Sequence, residues 1–198
     1  DISGNIHAEV EMLTKGVAYA SRYYLESELE KNQKLQYKEY WNQINGLQIN
    51  AIALDNNKEA IVFTEKLDVQ ATKYASKAGN RILLKPNIFN VEESIPSRYK
   101  TRQLPFQINR GKTDINTFQI TIPNSLEVDA LQEPVAVSNK FGEYIFSIKE
   151  IEPNKLQFNR TLKLNKGTYN KEDYKEYRDF LLQVKKHDNS KIVLKQKP

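Results

Sequence analysis

The part of the chain from residue 47 to residue 164 consists largely of short runs in which apolar and polar residues alternate. Successive side chains of a β-strand point to opposite faces, so each run predicts a strand with one apolar and one polar face. Turn-forming residues separate the runs, and short strands at this spacing favour an antiparallel β-sandwich. The clearest runs are 61–69 with Glu65 as a charged interruption, 118–122, 144–148, and 156–164 around Arg160.

The N-terminal part changes from a strand pattern to a helix pattern. Residues 6–12 alternate and predict a half-buried first strand. Residues 16–30 are good helix formers and predict a first helix. An apolar stripe from Tyr37 to Ile44, spaced i, i+3, i+4, i+7, predicts a second helix that stops at Gly46. We therefore expect a helical hairpin with its joint near Lys31-Asn32.

The C-terminal part is also helical. Asn170 can cap a helix over residues 171–187, whose apolar stripe includes Tyr174 and Tyr177. Basic residues fill the last turn, where they complement the helix dipole. Residues 192–194 predict a short terminal strand.

Together these elements predict an α+β fold that is mainly β: an antiparallel β-sandwich with an N-terminal helical hairpin and a C-terminal helix. We expect a single β-rich module over residues 1–198. An alternative seam lies near 91–114, where prolines and a glycine interrupt the regular pattern. That seam would separate a helical hairpin plus sheet at 1–108 from a sandwich half with the C-terminal helix at 109–198.

Charge and cysteine content argue against several classes of function. The chain has 30 basic and 25 acidic residues, a net charge of +5, with both signs interspersed. Nucleic-acid binders more often concentrate basic residues on one face, so we predict no nucleic-acid partner. The absence of cysteine excludes thiolate nucleophiles, disulfides and thiolate metal sites. No apolar run approaches the ~20 residues of a transmembrane helix, so we predict no membrane span.

The sequence contains no recognisable nucleophile-and-base pair. There is no cysteine and no Gly-x-Ser-x-Gly turn. The two histidines, His7 and His187, fall on the polar face of the first strand and in the last helical turn. We interpret both as surface residues and predict no catalytic residue in this chain.

Acidic residues give equally weak signals. Adjacent carboxylates at Glu92-Glu93 and at Glu150 and Glu152 could in principle serve glycoside hydrolysis, but such pairs are expected by chance among 25 acidic residues. Asp55-Asn56-Asn57 lacks the later ligands of a calcium loop and predicts a hairpin turn. We therefore predict no cofactor, no cofactor-binding residue and no metal site.

Tyrosine is the one residue type that suggests binding. Tyr19, Tyr23 and Tyr24 cluster in the first predicted helix, and exposed aromatic rings can bind sugars or bases. Asn159-Arg160-Thr161 matches a glycosylation sequon, but it lies in the middle of a predicted strand. The aromatic residues on helical stripes are better explained by core packing: Tyr37, Tyr40, Trp41, Tyr174 and Tyr177.

Short motifs occur in a defined order along almost the whole chain. They are the turn Asp1–Ile6, the Gly-led helix Gly16–Arg22, Leu83–Pro86 with Arg102–Phe106, the strand end Ile120–Pro123, and Tyr174–Phe180 with Ile192–Lys195. In this order they resemble the C-terminal region of bacterial transglutaminase-like proteins. In that family a domain of unknown function follows a papain-like catalytic core.

The resemblance implies an exported protein of Gram-negative bacteria, located in the periplasm or cell envelope or secreted. It also implies that the catalytic Cys, His and Asp lie upstream of this chain. The function that follows is a non-catalytic accessory or structural module, which packs on or extends from the upstream transglutaminase-like domain of the same polypeptide. An envelope protein or a glycan is a further expected partner.

Two other functions remain open. The first is an independent carbohydrate- or protein-binding β-sandwich, which exposed tyrosines in one concave patch would favour. The second is a stand-alone enzyme built on dispersed acidic residues, which would need paired buried carboxylates in a deep pocket.

The beginning of the chain carries one structural expectation. Residues 1–5 are turn-forming, although no strand precedes them. The pattern suggests that a partner strand lies upstream, and it predicts an unpaired sheet edge near residues 5–12. Copies of the chain could dimerise through such an edge.

Overall fold

The structure is a computed structural model that describes residues 1–197. The chain forms two compact units, Asp1–Ser76 and Lys77–Pro198, here called the first and second units. With 46% of residues in strands and 19% in helices, and with antiparallel sheets, the structure confirms the predicted mainly β fold class.

The first unit is built on a three-stranded antiparallel sheet with the order β1-β3-β2. The central strand pairs with β1 from Ala71 opposite Ile6 to Val62 opposite Lys15. Alternate residues of β3 are buried, so this strand supplies much of the core. The strands are β1 Ile6–Lys15, β2 Leu47–Asn57 and β3 Val62–Ala71.

The helical part of the first unit differs in its bounds from the prediction. The first predicted helix is broken into α1 (Val17–Ala20) and a 3-10 helix (Tyr23–Ser27). The second helix, α2, spans Glu30–Tyr40 and therefore runs through the predicted joint at Lys31-Asn32. Extended backbone at Leu29 starts α2, and an i, i+4 ion pair within its first turns stabilises that start.

The second unit contains three antiparallel sheets. The larger two have the strand orders β7-β11-β10-β9 and β4-β5-β13-β8, and β6 pairs with β12. A two-residue turn joins β9 to β10, and a Cβ at Gly142 would overlap the backbone oxygen of Lys163. The strands are β4 Ser76–Ala78, β5 Arg81–Leu84, β6 Phe106–Ile108, β7 Lys112–Thr121, β8 Leu126–Ala130, β9 Val135–Asn139, β10 Gly142–Glu152, β11 Lys155–Leu164, β12 Gly167–Tyr169 and β13 Ile192–Gln196.

The predicted C-terminal helix is present as α3, Tyr174–Asp188. A 3-10 turn, Lys171–Asp173, precedes it, and the backbone N–H of Asn170 donates to the Asp173 carboxylate at 3.1 Å. Phe180, Leu181 and Val184 form the buried face of the helix. Among residues 1–197, no helix is both long and apolar enough to cross a membrane.

The boundary between the units does not fall at the seam offered by the sequence. Residues 91–114 lie within the second unit, because β6 pairs there with β12 and the backbone of Glu92 is bonded to the end of α3. Proline and glycine in this segment therefore mark irregular backbone that is held by side-chain contacts.

Candidate functional site

The first unit buries one carboxylate, that of Glu65, on the core face of β3. Arg22, between α1 and the 3-10 helix, donates to it through Nε and Nη2, with Nε 3.1 Å from Oε1. The Tyr37 hydroxyl on α2 donates to the same carboxylate at 2.6 Å. The rings of Tyr37 and Tyr40 lie 5.2 and 4.6 Å from the guanidinium carbon. These four residues, the first centre, tie the central strand to the helical segments.

The electrostatics of the first centre keep its protons in place. Burial alone would lower the pKa of Arg22, but hydrogen bonds to Glu65 and the charge of its carboxylate outweigh burial and raise that pKa. Burial raises the pKa of the Tyr37 hydroxyl far above its ordinary value, and its hydrogen bond to Glu65 raises it further. Arg22 therefore keeps its charge, and Tyr37 keeps its proton as a hydroxyl donor.

The second unit has a corresponding group around Asp188, the last residue of α3. Arg160 of β11 binds its carboxylate in bidentate fashion, with Nε to Oδ1 at 2.7 Å and Nη2 to Oδ2 at 2.8 Å. The Tyr144 hydroxyl of β10 donates to Oδ1 at 2.9 Å, and the Glu92 backbone N–H donates to Oδ2 at 2.9 Å. Asn116 of β7 accepts from Arg160 Nη1 at 3.2 Å. These five residues form the second centre.

Burial and charge act in the second centre as they do in the first. Burial alone would lower the pKa of Arg160, but the hydrogen bonds and charge of Asp188 outweigh it and raise that pKa. Burial raises the pKa of the Tyr144 hydroxyl far above its ordinary value, and the charge of Asp188 adds to this. A general acid or base must exchange a proton with a substrate. Arg22, Tyr37, Arg160 and Tyr144 hold their protons, so none of these four residues meets that requirement.

The two histidines lie in different surroundings. His7 on β1 has an exposed ring whose Nε2 lies 2.9 Å from Asp68 Oδ2. His187 on α3 is half-buried, with its ring centroid 6.3 Å from that of Tyr144. Burial lowers the pKa of His187, and the charge of Lys186 lowers it further.

Each adjacent carboxylate considered for hydrolysis has its own partner. Glu92 lies 3.2 Å from Lys112, and Glu93 lies 2.9 Å from Lys185. At the turn between β10 and β11, Glu152 lies 2.6 Å from Lys155, and Glu150 accepts the backbone N–H of Asn154 at 3.3 Å. These contacts fasten loops and turns to the second unit.

The turn was predicted at Asp55-Asn56-Asn57, but these residues form the end of β2. The turn follows them at residues 58–61. The Asn57 side chain accepts the backbone N–H of Ala60 at 2.9 Å, which closes that turn. In the part of the chain that the structure describes, no group of three or more His, Cys, Asp or Glu residues could hold a metal ion.

The aromatic residues divide between core and surface. Tyr37 and Trp41 are buried, as core packing predicts, but Tyr40 is 53% exposed and covers Arg22. Tyr19 and Tyr23 stack with centroids 5.1 Å apart. Tyr174 and Tyr177 are half-buried against Phe106, and the sequon residue Asn159 lies within β11 beside the buried Arg160.

Each unit has outer strands that pair on one side only, and two of them, β1 and β9, bear on binding. In the first unit β1 is an outer strand, and within residues 1–197 no strand pairs with its second side. The predicted unpaired edge near residues 5–12 is thereby confirmed. In the second unit β9 is an outer strand of the four-stranded sheet β7-β11-β10-β9. Beside it, β9 and the N-terminal half of α3 with its preceding turn enclose a surface cleft of about 370 Å³.

Sequence reasoning located one member of each buried centre and missed its partner. Glu65 and Arg160 interrupt apolar alternation, and a charge at such a position needs an opposite charge beside it. That signal could have prompted a search for partners. It could not select Arg22 or Asp188, because the chain offers 30 basic and 25 acidic residues and the pairs span 43 and 28 positions.

Comparison with known protein families gave a match to the C-terminal part of the chain. Residues 80–194, more than half of the chain, match the model of a family described as a domain of unknown function with a solved structure, DUF3858. The predicted relation to a domain of unknown function is confirmed at this level. The matched segment lies within the second unit and includes all five residues of the second centre. No curated protein matched the chain. No solved structure matched it.

Proposed function

The chain belongs to the DUF3858 family, and we propose that it is a non-catalytic accessory module of a transglutaminase-like protein. It packs on, or extends from, a catalytic core that precedes it in the same polypeptide. The observation that carries the proposal is that both buried carboxylates are fully engaged in hydrogen bonds within the core. Glu65 and Asp188 each accept hydrogen bonds from an arginine and a tyrosine, and we assign both carboxylates a structural role.

The catalytic partner is inferred from the resemblance of the ordered motifs to the C-terminal region of transglutaminase-like proteins. The open edge of β1 is a surface through which the chain can pack against that catalytic domain. An unpaired strand presents a row of backbone donors and acceptors, to which a segment of the upstream domain can add as a further strand. The charged side chains on its exposed face, including Glu9 and Glu11, discourage indiscriminate pairing.

The proposal includes a location and further partners. The protein is exported to the periplasm or cell envelope or is secreted, and the upstream domain is the first partner. An envelope protein or a glycan is the second. These statements rest on the resemblance of the motifs, and cell fractionation with an antibody to this chain tests the location.

Activity is the first test of the accessory role. We expect the purified chain to show neither amine incorporation into a glutamine-containing protein nor hydrolysis of peptide amides. A longer polypeptide that includes the preceding segment should show such activity. Robust turnover by the isolated chain, proportional to its concentration, would contradict the proposal.

Hydrogen exchange is the second test, and it addresses the edge directly. The backbone amides of β1 should exchange more slowly in the longer polypeptide than in the isolated chain, because a neighbouring strand protects them. The amides of β2, the opposite edge of the same sheet, serve as the internal control. Equal exchange of β1 in both proteins would exclude strand addition at that edge.

A further inference from the structure

The cleft beside β9 combines a sheet edge with a helix. β9 pairs with β10 on one side only, and Val137 lies opposite Tyr144. Residues directly opposite on neighbouring strands share a face of the sheet. Because the Tyr144 hydroxyl reaches Asp188 of α3, Val137 also lies on the face that carries α3. The cleft is therefore bounded by the free edge of β9 and by the side of α3.

The backbone of β9 can receive another strand. Within residues 1–197 no strand pairs with its outer side, and alternate residues of an edge strand direct N–H and C=O groups outward. Val137, which is half-buried, gives the cleft apolar surface, and the almost completely buried Phe180 lies at its base. An extended peptide would thus find both main-chain partners and a place for apolar side chains.

The charge of the cleft selects the kind of peptide. Three of the residues that line it are acidic, Glu172, Glu176 and Asp179, and one is basic, Lys175. Each acid has an exposed lysine partner: Lys175 for Asp179 at 2.6 Å, Lys140 for Glu176 at 3.2 Å and Lys171 for Glu172 at 3.9 Å. Exposed ion pairs contribute little to stability, so a basic ligand can replace the lysines at little loss.

We propose that this cleft binds an extended, basic segment of a protein partner, which adds to the sheet as a strand beside β9. Valine-sized side chains of the segment contact Val137, and its lysines or arginines contact the acidic residues on the α3 side of the cleft. The inference does not depend on the accessory role, because it concerns β9 of the second unit, whereas that role rests on β1 and on the buried centres.

The first experiment uses a fluorescent heptapeptide with valine and lysine alternating at odd positions and threonine at even positions. All odd side chains of a strand share one face, so both residue types can enter the cleft together. We expect saturable binding with a dissociation constant on the order of 10–100 μM by fluorescence anisotropy. A peptide with glutamate in place of lysine should not bind. Equal binding of both peptides, or no binding of the lysine peptide, would overturn the proposal.

The second experiment tests the binding mode with two N-methylated versions of the lysine peptide. One version is methylated at its odd amides and the other at its even amides. Alternate amides of a paired strand point to opposite sides, so only one version should lose binding. The same behaviour of both versions would rule out strand addition.

The third experiment locates the site with matched charge reversals in the full chain. Glu172→Lys with Asp179→Lys should weaken binding about tenfold or more, because like charges then face the peptide. Glu39→Lys with Glu59→Lys makes the same charge change at exposed positions of the first unit, outside any strand, and should leave the affinity unchanged. Circular dichroism verifies that both variants fold. An equal effect of the two double variants would place the peptide outside this cleft.

Discussion

Each unit buries an arginine–carboxylate pair with a tyrosine hydroxyl, but the two units place the acid and the base on opposite kinds of element. In the first centre the strand supplies the acid, Glu65, and a short helical connection supplies Arg22. In the second centre the strand supplies the base, Arg160, and the end of a helix supplies Asp188. Both centres add a tyrosine hydroxyl to the carboxylate, so either sign of charge can occupy an inward strand position when its partners are provided.

The centres differ in how completely they are enclosed. The Arg22 side chain is 12% exposed, whereas that of Arg160 is 1% exposed. Glu65 accepts from one arginine and one tyrosine, but Asp188 also accepts a backbone N–H from Glu92. A buried charge that loses its partner is destabilising in proportion to its isolation from water. The second centre should therefore be the more sensitive of the two.

The largest expected effect comes from removing the charge of Asp188. Asp188→Asn keeps the side-chain size but leaves the guanidinium of Arg160 buried without a counter-ion. We expect the free energy of unfolding of the second unit to fall by about 3–5 kcal/mol. Urea denaturation followed by far-ultraviolet circular dichroism measures this change.

The control for this variant lies on the same helix. Asp179→Asn removes an exposed carboxylate that pairs with Lys175, so the free energy of unfolding should change by no more than about 0.5 kcal/mol. A loss below about 1 kcal/mol for Asp188→Asn would mean that water or another group compensates Arg160, contrary to its enclosure.

Glu65→Gln should have the second largest effect. The variant leaves Arg22 without its carboxylate, but that side chain is partly exposed and can regain water, so we expect a loss of about 2–3 kcal/mol. The single tryptophan, Trp41, lies in the first unit with its ring 5.7 Å from that of Tyr37, so its fluorescence reports this unit selectively.

Glu59→Gln, in the exposed turn between β2 and β3, is the matched control. It should leave the urea midpoint measured by Trp41 fluorescence unchanged. If Glu65→Gln destabilises its unit as much as Asp188→Asn destabilises the other, the difference in enclosure has no energetic consequence. The comparison between the two centres would then fail.

Loss of the tyrosine hydroxyls should be smaller and similar in both units. Tyr37→Phe and Tyr144→Phe each remove one hydrogen bond to a buried carboxylate, at a cost of about 1–2 kcal/mol. Tyr23→Phe, on an exposed ring, is the control. Combining Tyr144→Phe with Asp188→Asn should cost less than the sum of the single changes, because both remove the same interaction. Full additivity would show that the hydroxyl acts independently of the carboxylate.

The sequence predicted those parts of the fold that depend on local periodicity. Alternation located β1, β3, β10, β11 and the second half of β7, and the capping residue and apolar stripe located α3. The first predicted helix was less accurate because Arg22 leaves the helical conformation, with φ −127° and ψ −36°, at the point where its side chain meets Glu65. A distant tertiary contact thus coincides with the break in a segment of good helix formers.

The candidate sites were less predictable than the fold. The inward charges Glu65 and Arg160 were visible in the strand pattern, but their partners are set by tertiary packing. The cleft beside β9 was not predicted, because it requires knowing that β9 ends its sheet and that α3 lies against the same face. Strand order is a property of long-range pairing, on which periodicity within a single strand carries no information.

The smallest expected effect is a pH dependence of the second unit through His187, whose ring packs against Tyr144. Burial, followed by the charge of Lys186, lowers the pKa of His187 from its ordinary value of 6.5. Just below that value the unfolded chain binds more protons than the folded one, so stability is fully present above pH 6.5 and declines as the pH falls through the lowered pKa. Urea midpoints by circular dichroism should therefore fall between pH 7 and pH 5, and His187→Gln should flatten this slope. His7→Gln, on an exposed strand face, should leave this pH slope unchanged. If the slope instead depends on His7, the pH-sensitive unit is the first one, and this part of the comparison is wrong.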